Sequence, residues 1–319
     1  MAPSGASGPT LAEVSEAELL ELILPRLRGG PPVLVGPGDD AAVMRTQGCT
    51  VVTTDTMARG RDWRDEWSRP QDVGAKIVAQ NVADVAAMGA RPTGLVAAVL
   101  ADPATPVAWM LDFADGLGAA ARAADVAVLG GDLSSAPAGT LVVAVTAVGE
   151  LDDCRPVLRS GANPGDLIAV AGTLGMAAAG WRLLEQGRPQ AHPEAVRTQL
   201  SPDPPIGQGP LAARAGASAM LDVSDGLLRD GDRIARASGV CLDLDREALA
   251  ADVRLLRDAL GDELAWECVL AGGEEHSLLA TFPGPPPAGW RVVGRVVAGT
   301  GVRLDGIPQT ARGWDHFHA

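Results

Sequence analysis

Residues 94–132 read GLVAAVLADPATPVAWMLDFADGLGAAARAADVAVLGGD, and their pattern decides the fold class. Gly94–Leu100 is an apolar run of strand length, and Val107–Ala124 carries apolar residues at helical spacing. Val126–Leu129 is again strand-like; the turn Gly130-Gly131-Asp132 and a strand over Thr140–Gly149 follow. Strand, helix and strand in succession predict an α/β layer.

The pattern continues on both sides. Residues 1–9 read as a frayed tail. Ser15-Glu16-Ala17-Glu18 is a capping box that starts a helix running to about Leu24. Gly29–Asp40 reads as a Gly/Pro-rich loop, and Ala41–Arg45 and Thr50–Thr54 as strands. Gln71–Met88 is a long helix, with Val73, Ile77, Val85 and Met88 on its apolar face. Polar, Pro and Gly residues over Asp152–Gly165 mark a boundary, which predicts domains over 1–150 and 151–319. The second half again alternates strands and helices. Strand Leu167–Ala171 leads into a Gly-punctuated turn and a helix to about Leu184, and a proline-rich loop occupies Ser201–Pro205. Helices near Leu211 and Leu227 and strands near Val240, Leu278 and Val292 complete it.

A chain of 319 residues, 47% apolar and 21% charged, is long enough for two domains with packed cores. Its net charge of −14 argues against a nucleic-acid partner, and implies that anionic ligands would be held through cations. No apolar run approaches the ~20 residues of a membrane span, and the start lacks a signal-peptide pattern. Cys49, Cys154, Cys241 and Cys268 show no CxxC spacing, so they read as reduced, mostly buried thiols of a cytoplasmic protein.

Familiar catalytic motifs fail. The single lysine, in Gly74-Ala75-Lys76-Ile77, lies in a helix, not in a Walker A loop; Gly116-Leu117-Gly118 lies in a helix, not after a strand. Ser224 lacks a nucleophile elbow, and His192, His276, His316 and His318 lack metal-ligand spacing. What remains are acids near the ends of elements: Asp39 and Asp40 after Gly36-Pro37-Gly38, Asp55 closing an apolar run, Asp132 after two glycines, and Asp222 and Asp225 flanking Ser224. Asp84 is set inside a helix. Each alone is an ordinary turn former or solvated position. Together they would converge only around cations, and magnesium, which takes oxygen ligands and binds phosphate, is the simplest such ion.

In series, Gly38-Asp39-Asp40-Ala41-Ala42, Thr53-Thr54-Asp55-Thr56, Asn81-Val82-Ala83-Asp84, Gly130-Gly131-Asp132, Asp222-Val223-Ser224-Asp225-Gly226-Leu227 and Gly272-Gly273-Glu274 resemble the blocks of the thiamine-monophosphate kinase family. That family shares a superfamily with aminoimidazole-ribonucleotide synthetase and selenophosphate synthetase. The resemblance runs from about Ser15 to Gly313-Trp314-Asp315-His316-Phe317. It implies an N-terminal mixed-sheet α/β domain that dimerises through its sheet, and a C-terminal α/β domain closing over the nucleotide. It implies several magnesium ions on Asp40, Thr53, Thr54, Asp55, Asp84, Asp132, Asp222 and Asp225, some through backbone oxygens. ATP, as co-substrate, would meet Gly131, Asp132, Arg159 and Ser224. Glu274 and Trp314 would lie at the thiamine end, where an acid and an aromatic face suit a cationic ring.

The chain departs from the family at Asp62, where a histidine is usual, at Glu275-His276, and at Met176, where an acid is usual. These departures concern the acceptor side. Other superfamily members fit less well: a selenophosphate synthetase would need a reactive cysteine near the N-terminus, and a hydrogenase-maturation relative a C-terminal cysteine. A nucleotide-binding regulatory protein that has lost catalysis is the alternative outside enzymes.

Overall fold

The computed structural model describes residues 8–27, 33–36 and 41–314. They divide into two compact units: one holds the described residues up to Asn81 with Pro92–Glu150, the other Val82–Arg91 with Leu151 onward.

In the first unit, helix α1 (Glu16–Ile23) begins at the expected capping box. Ser15 Oγ accepts the Glu18 N–H at 3.3 Å, and the Glu18 carboxylate accepts the Ser15 N–H at 2.8 Å. The stretch expected to be all loop contains β1 (Val33–Val35), which pairs antiparallel with β2 (Val43–Met44) inside the expected strand Ala41–Arg45. Next come β3 (Thr50–Ala58), α2 (Pro70–Ala87), β4 (Arg91–Ala101), α3 (Val107–Ala123), β5 (Ala127–Ser135) and β6 (Leu141–Glu150). Four of these strands form a mixed sheet in the order β3-β6-β4-β5, antiparallel between β3 and β6 and parallel between β4 and β5. Val143, Val145 and Ala147 of β6 are buried on one face. The helices α2 and α3 pack at glycines: a Cβ on Gly116 would lie 2.1 Å from the Gln71 carbonyl oxygen. The Gly116-Leu117-Gly118 run therefore serves helix contact.

Two expected element ends move. The strand expected to stop at Thr54 continues to Ala58, because β6 supplies antiparallel partners from Thr50↔Glu150 to Ala58↔Val142. Asp55 is consequently mid-strand. Gly130-Gly131-Asp132 is not a turn but part of β5, extended by pairing with Val96, Ala97 and Ala98 beyond a register shift. Gly131 is needed there, since a Cβ would stand 2.1 Å from the Ala97 carbonyl oxygen.

The second unit runs β7 (Leu167–Ala171), α4 (Met176–Glu185), α5 (Pro193–Leu200), α6 (Gln208–Arg214), β8 (Ala219–Val223), α7 (Leu227–Ser238), β9 (Cys241–Leu244), α8 (Arg246–Leu260), α9 (Asp262–Ala271), β10 (Ser277–Phe282), β11 (Arg291–Val297), β12 (Gly301–Leu304) and β13 (Ile307–Gln309). Its seven-stranded sheet has the order β13-β12-β9-β11-β7-β10-β8. Both faces are covered, so its central strands are continuous apolar runs. Ile168 and Val170 join Leu221, Leu242 and Leu279 in one core cluster; Ala169 and Ala171 join Met220, Leu278, Phe282 and Trp290 in another. Ala87 belongs to that second cluster, which groups the end of α2 with this unit. The helices α8 and α9 have no counterpart among the elements expected from sequence. Asp245 nonetheless caps α8, accepting the Glu247 N–H at 2.8 Å and the Ala248 N–H at 3.1 Å.

Candidate functional site

Asp84, Asp222, Ser224, Asp225, Glu274 and Trp314 all belong to the second unit. The antiparallel register of β10 on β8 pairs Ser277 with Val223 and Leu278 with Asp222, bringing the loop before β10 against the end of β8. There the Glu274 N–H donates to the Ser224 carbonyl at 3.0 Å. Gly273 is required by this approach, since its Cβ would stand 1.9 Å from that same oxygen. His276 Nδ1 lies 3.0 Å from Asp222 Oδ2, with both side chains buried. Burial pushes the His276 imidazole down, but the hydrogen bond and charge of Asp222, joined by the charges of Glu274 and Asp84, outweigh it and leave its pKa raised. Asp84, Asp222 and Glu274 thus act on one buried ring from three separate segments.

The turn after β8 is braced from α7. Asp230, fully buried, accepts the N–H groups of Asp225 at 2.9 Å and Gly226 at 3.0 Å and pairs with Arg233. Burial raises the Asp230 carboxyl to about 6, against the opposing charge of Arg233. Arg233 also grips Asp225, Arg229 stands 3.9 Å from it, and the Asp225 carbonyl accepts the Trp314 N–H at 3.0 Å. The Asp225 carboxylate, one of the expected cation ligands, is thus paired with arginines in this structure. Asp230 and Arg233 were not among the expected site residues, although Asp225, Arg229 and Arg233 recur at helical spacing. The His276–Asp222 pair had no sequence signal, because only strand register creates it.

Glu275 turns the other way. Its buried carboxylate accepts the N–H groups of Gly175 and, at 2.8 Å, of Ala177, closing the N-terminus of α4. Desolvation raises its pKa to about 8, opposed by those backbone hydrogen bonds. Trp314 is 40% exposed. Arg159 is exposed, and its carbonyl accepts the Ser238 hydroxyl at 3.1 Å.

In the first unit, period-two alternation divides the Thr-Thr-Asp block. Thr53 and Asp55 are half-buried and share a face with Ala147 and Val145 opposite them, whereas Thr54 is exposed on the other face. Thr54 Oγ1 donates to the Val145 carbonyl at 3.0 Å. Asp132 is exposed on β5 and accepts the Ser134 hydroxyl at 3.0 Å. The strands β3 and β5 are opposite edges of the sheet, three steps of about 4.8 Å apart, so Asp55 and Asp132 are not neighbours within it. Asp62 closes a turn, its carboxylate accepting the Ala58 N–H at 2.7 Å. Asp39 and Asp40 lie outside the described residues.

Among the described residues, no three His, Cys, Asp or Glu side chains form a metal-holding group. The donors nonetheless fit magnesium in kind: they are carboxylate oxygens, and the buried Asp222 carboxylate retains accepting capacity beyond His276. No described helix is long and apolar enough to cross a membrane, and the four cysteines are unbonded. Cys241 and Cys268 are buried, whereas Cys49 is exposed and precedes β3, so the expectation of mostly buried thiols holds for two of the four.

The chain is a two-unit α/β protein with acids at the end of β8, and residues 38–151 match AIR synthase related protein, N-terminal domain. A thiamine-monophosphate kinase from Mycobacterium tuberculosis is 46% identical over 315 residues, covering 97% of this chain and 93% of the relative. The crystal structure of thiamine-monophosphate kinase from Stenotrophomonas maltophilia superposes with a TM-score of 0.79 at 34% identity, covering 93% of this chain and 98% of that one. That of AaThiL complexed with AMPPCP and TMP superposes with a TM-score of 0.77 at 29% identity, covering 86% and 90%. The chain belongs to the thiamine-monophosphate kinase family.

Proposed function

We propose that this chain transfers the γ-phosphoryl group of ATP to the phosphate of thiamine monophosphate, giving thiamine diphosphate and ADP. The observation that carries this reading is the 46% identity over 97% of the chain to a relative of that name. An oxygen of the acceptor phosphate forms the new bond to the γ-phosphorus; the bond from that phosphorus to the β–γ bridging oxygen breaks, and its electron pair leaves on ADP. The attacking oxygen is already ionised, so no general base is required.

The remaining task is to align two anions. Magnesium ions, when bound, supply charge neutralisation for both phosphates. Asp84 and Asp222 of the second unit, with Asp40, Thr53, Thr54, Asp55 and Asp132 of the first, are the residues that would hold them. Asp225, which also orders the turn, is the further candidate. Gly131, Asp132, Arg159 and Ser224 would face ATP, and Asp62, Glu274 and Trp314 the thiamine end. Residues 1–150 would carry the dimer contacts and most of the metal ligands, and residues 151–319 would contribute Asp222, Asp225, Arg159 and Ser224. Val52 at 62% exposure and Val96 at 42% leave one sheet face of the first unit apolar and open. A second copy of the chain is its occupant, giving a homodimer. Unbonded cysteines support a cytoplasmic location.

Measuring ADP release and thiamine diphosphate together tests the reaction. The expected result is one diphosphate per ADP, only with acceptor and magnesium present. Nucleotide binding without acceptor-dependent turnover would point to a regulatory protein.

A further inference from the structure

The loop before β10 holds two residues with left-handed backbone, Glu274 at φ 74° and His276 at φ 53°. A residue bearing a Cβ adopts that conformation only when its surroundings enforce it, and such positions cluster at functional sites. Here the alternation sends Glu275 to α4 and His276 to the end of β8. A carboxylate oxygen accepts from a ring N–H, so the His276–Asp222 contact places a proton on Nδ1. Nε2 is buried and has no hydrogen-bond partner among the described residues. A histidine serving only to fill a core has both nitrogens satisfied; this one has a single partner, and that partner is a candidate cation ligand.

We infer that His276 is a positioning residue, whose Nδ1–H fixes the orientation of the Asp222 carboxylate and thereby sets the affinity of the acidic cluster for a divalent cation. The inference deepens the kinase reading and rests on its cation-binding part. Second partners of metal ligands act in this way, and their loss costs about 10- to 100-fold in metal affinity.

The test uses the full-length protein with three variants. His276→Phe keeps ring volume and removes the donor. His276→Asn keeps an amide N–H near the Nδ1 position. His276→Gln moves the amide out to the Nε2 position. Binding of Mn²⁺ to the protein with ADP, followed by electron paramagnetic resonance, reads affinity without turnover; the Mg²⁺ concentration for half-maximal ADP release reads it during turnover. The expected result is a weakening of about 10-fold or more in His276→Phe and His276→Gln, with His276→Asn close to the parent. Unchanged Mn²⁺ affinity in His276→Phe, or His276→Asn as weak as His276→Phe, would overturn the inference; if His276→Phe does not fold, His276→Gln decides by the same measure. Absence of acceptor-dependent turnover in the parent would sink the kinase reading alone, because the Mn²⁺ comparison does not depend on it.

Discussion

Two strand-to-helix turns of the second unit share a design and differ in what they leave open. After β7, Gly175 with φ 82° precedes α4; after β8, Gly226 with φ 119° precedes α7. In the first turn Glu275 fills the helix N-terminus, Ser277 Oγ donates to the Thr173 carbonyl at 2.6 Å, and Leu174 is buried. In the second, the brace comes from behind through Asp230, while Ser224 and Asp225 remain half-exposed. Backbone N–H groups at a helix start attract anions. The β7 turn has an internal carboxylate for that purpose and so is closed to phosphate; the β8 turn instead gathers the acids Asp222 and Asp225, which the proposed cation site requires. Glycine and a following helix are therefore insufficient to mark a ligand loop.

The largest effect separates the turns by activity. Asp222→Asn or Asp84→Asn is expected to lower kcat by about 10²–10³-fold while the chain stays folded, as measured by acceptor-dependent ADP release and circular dichroism. Near-normal turnover at limiting Mg²⁺ would erase the distinction. The β7 turn answers in stability: Glu275→Ala strands buried N–H groups and is expected to cost about 3 kcal/mol, read from urea unfolding.

Titration sharpens the contrast further. The Glu275 carboxyl, raised from 4.5 to about 8, binds its proton more tightly in the folded chain. The stability this contributes is complete below about pH 4.5 and is lost as pH rises toward about 8, with a slope of at most about 1.4 kcal/mol per pH unit. Glu275→Gln is expected to remove that slope between pH 5 and 8, as followed by the unfolding midpoint across pH. The smallest effect belongs to the edge of the β8 turn: Trp314→Ala is expected to raise KM for thiamine monophosphate by about threefold and leave kcat alone, as lost contact between an aromatic face and a cation would.

Much of this was legible in the sequence, for identifiable reasons. The Ser15–Glu18 box, α3 and β7 declare themselves through local chemistry, and the six motif blocks fix the family. What escaped depended on partners distant in the chain. Asp55 and Gly130–Asp132 look like element ends until β6 and β4 extend their strands. His276 looks like an isolated departure until register sets it on Asp222.

The most direct trial is a crystal of the chain grown with Mn²⁺ and a non-hydrolysable ATP analogue, with anomalous scattering locating the metal. Metal peaks are expected about 2.1 Å from carboxylate oxygens of Asp84 and Asp222, beside the nucleotide phosphates. Bound nucleotide with no metal near either aspartate would contradict a cation-filled β8 turn.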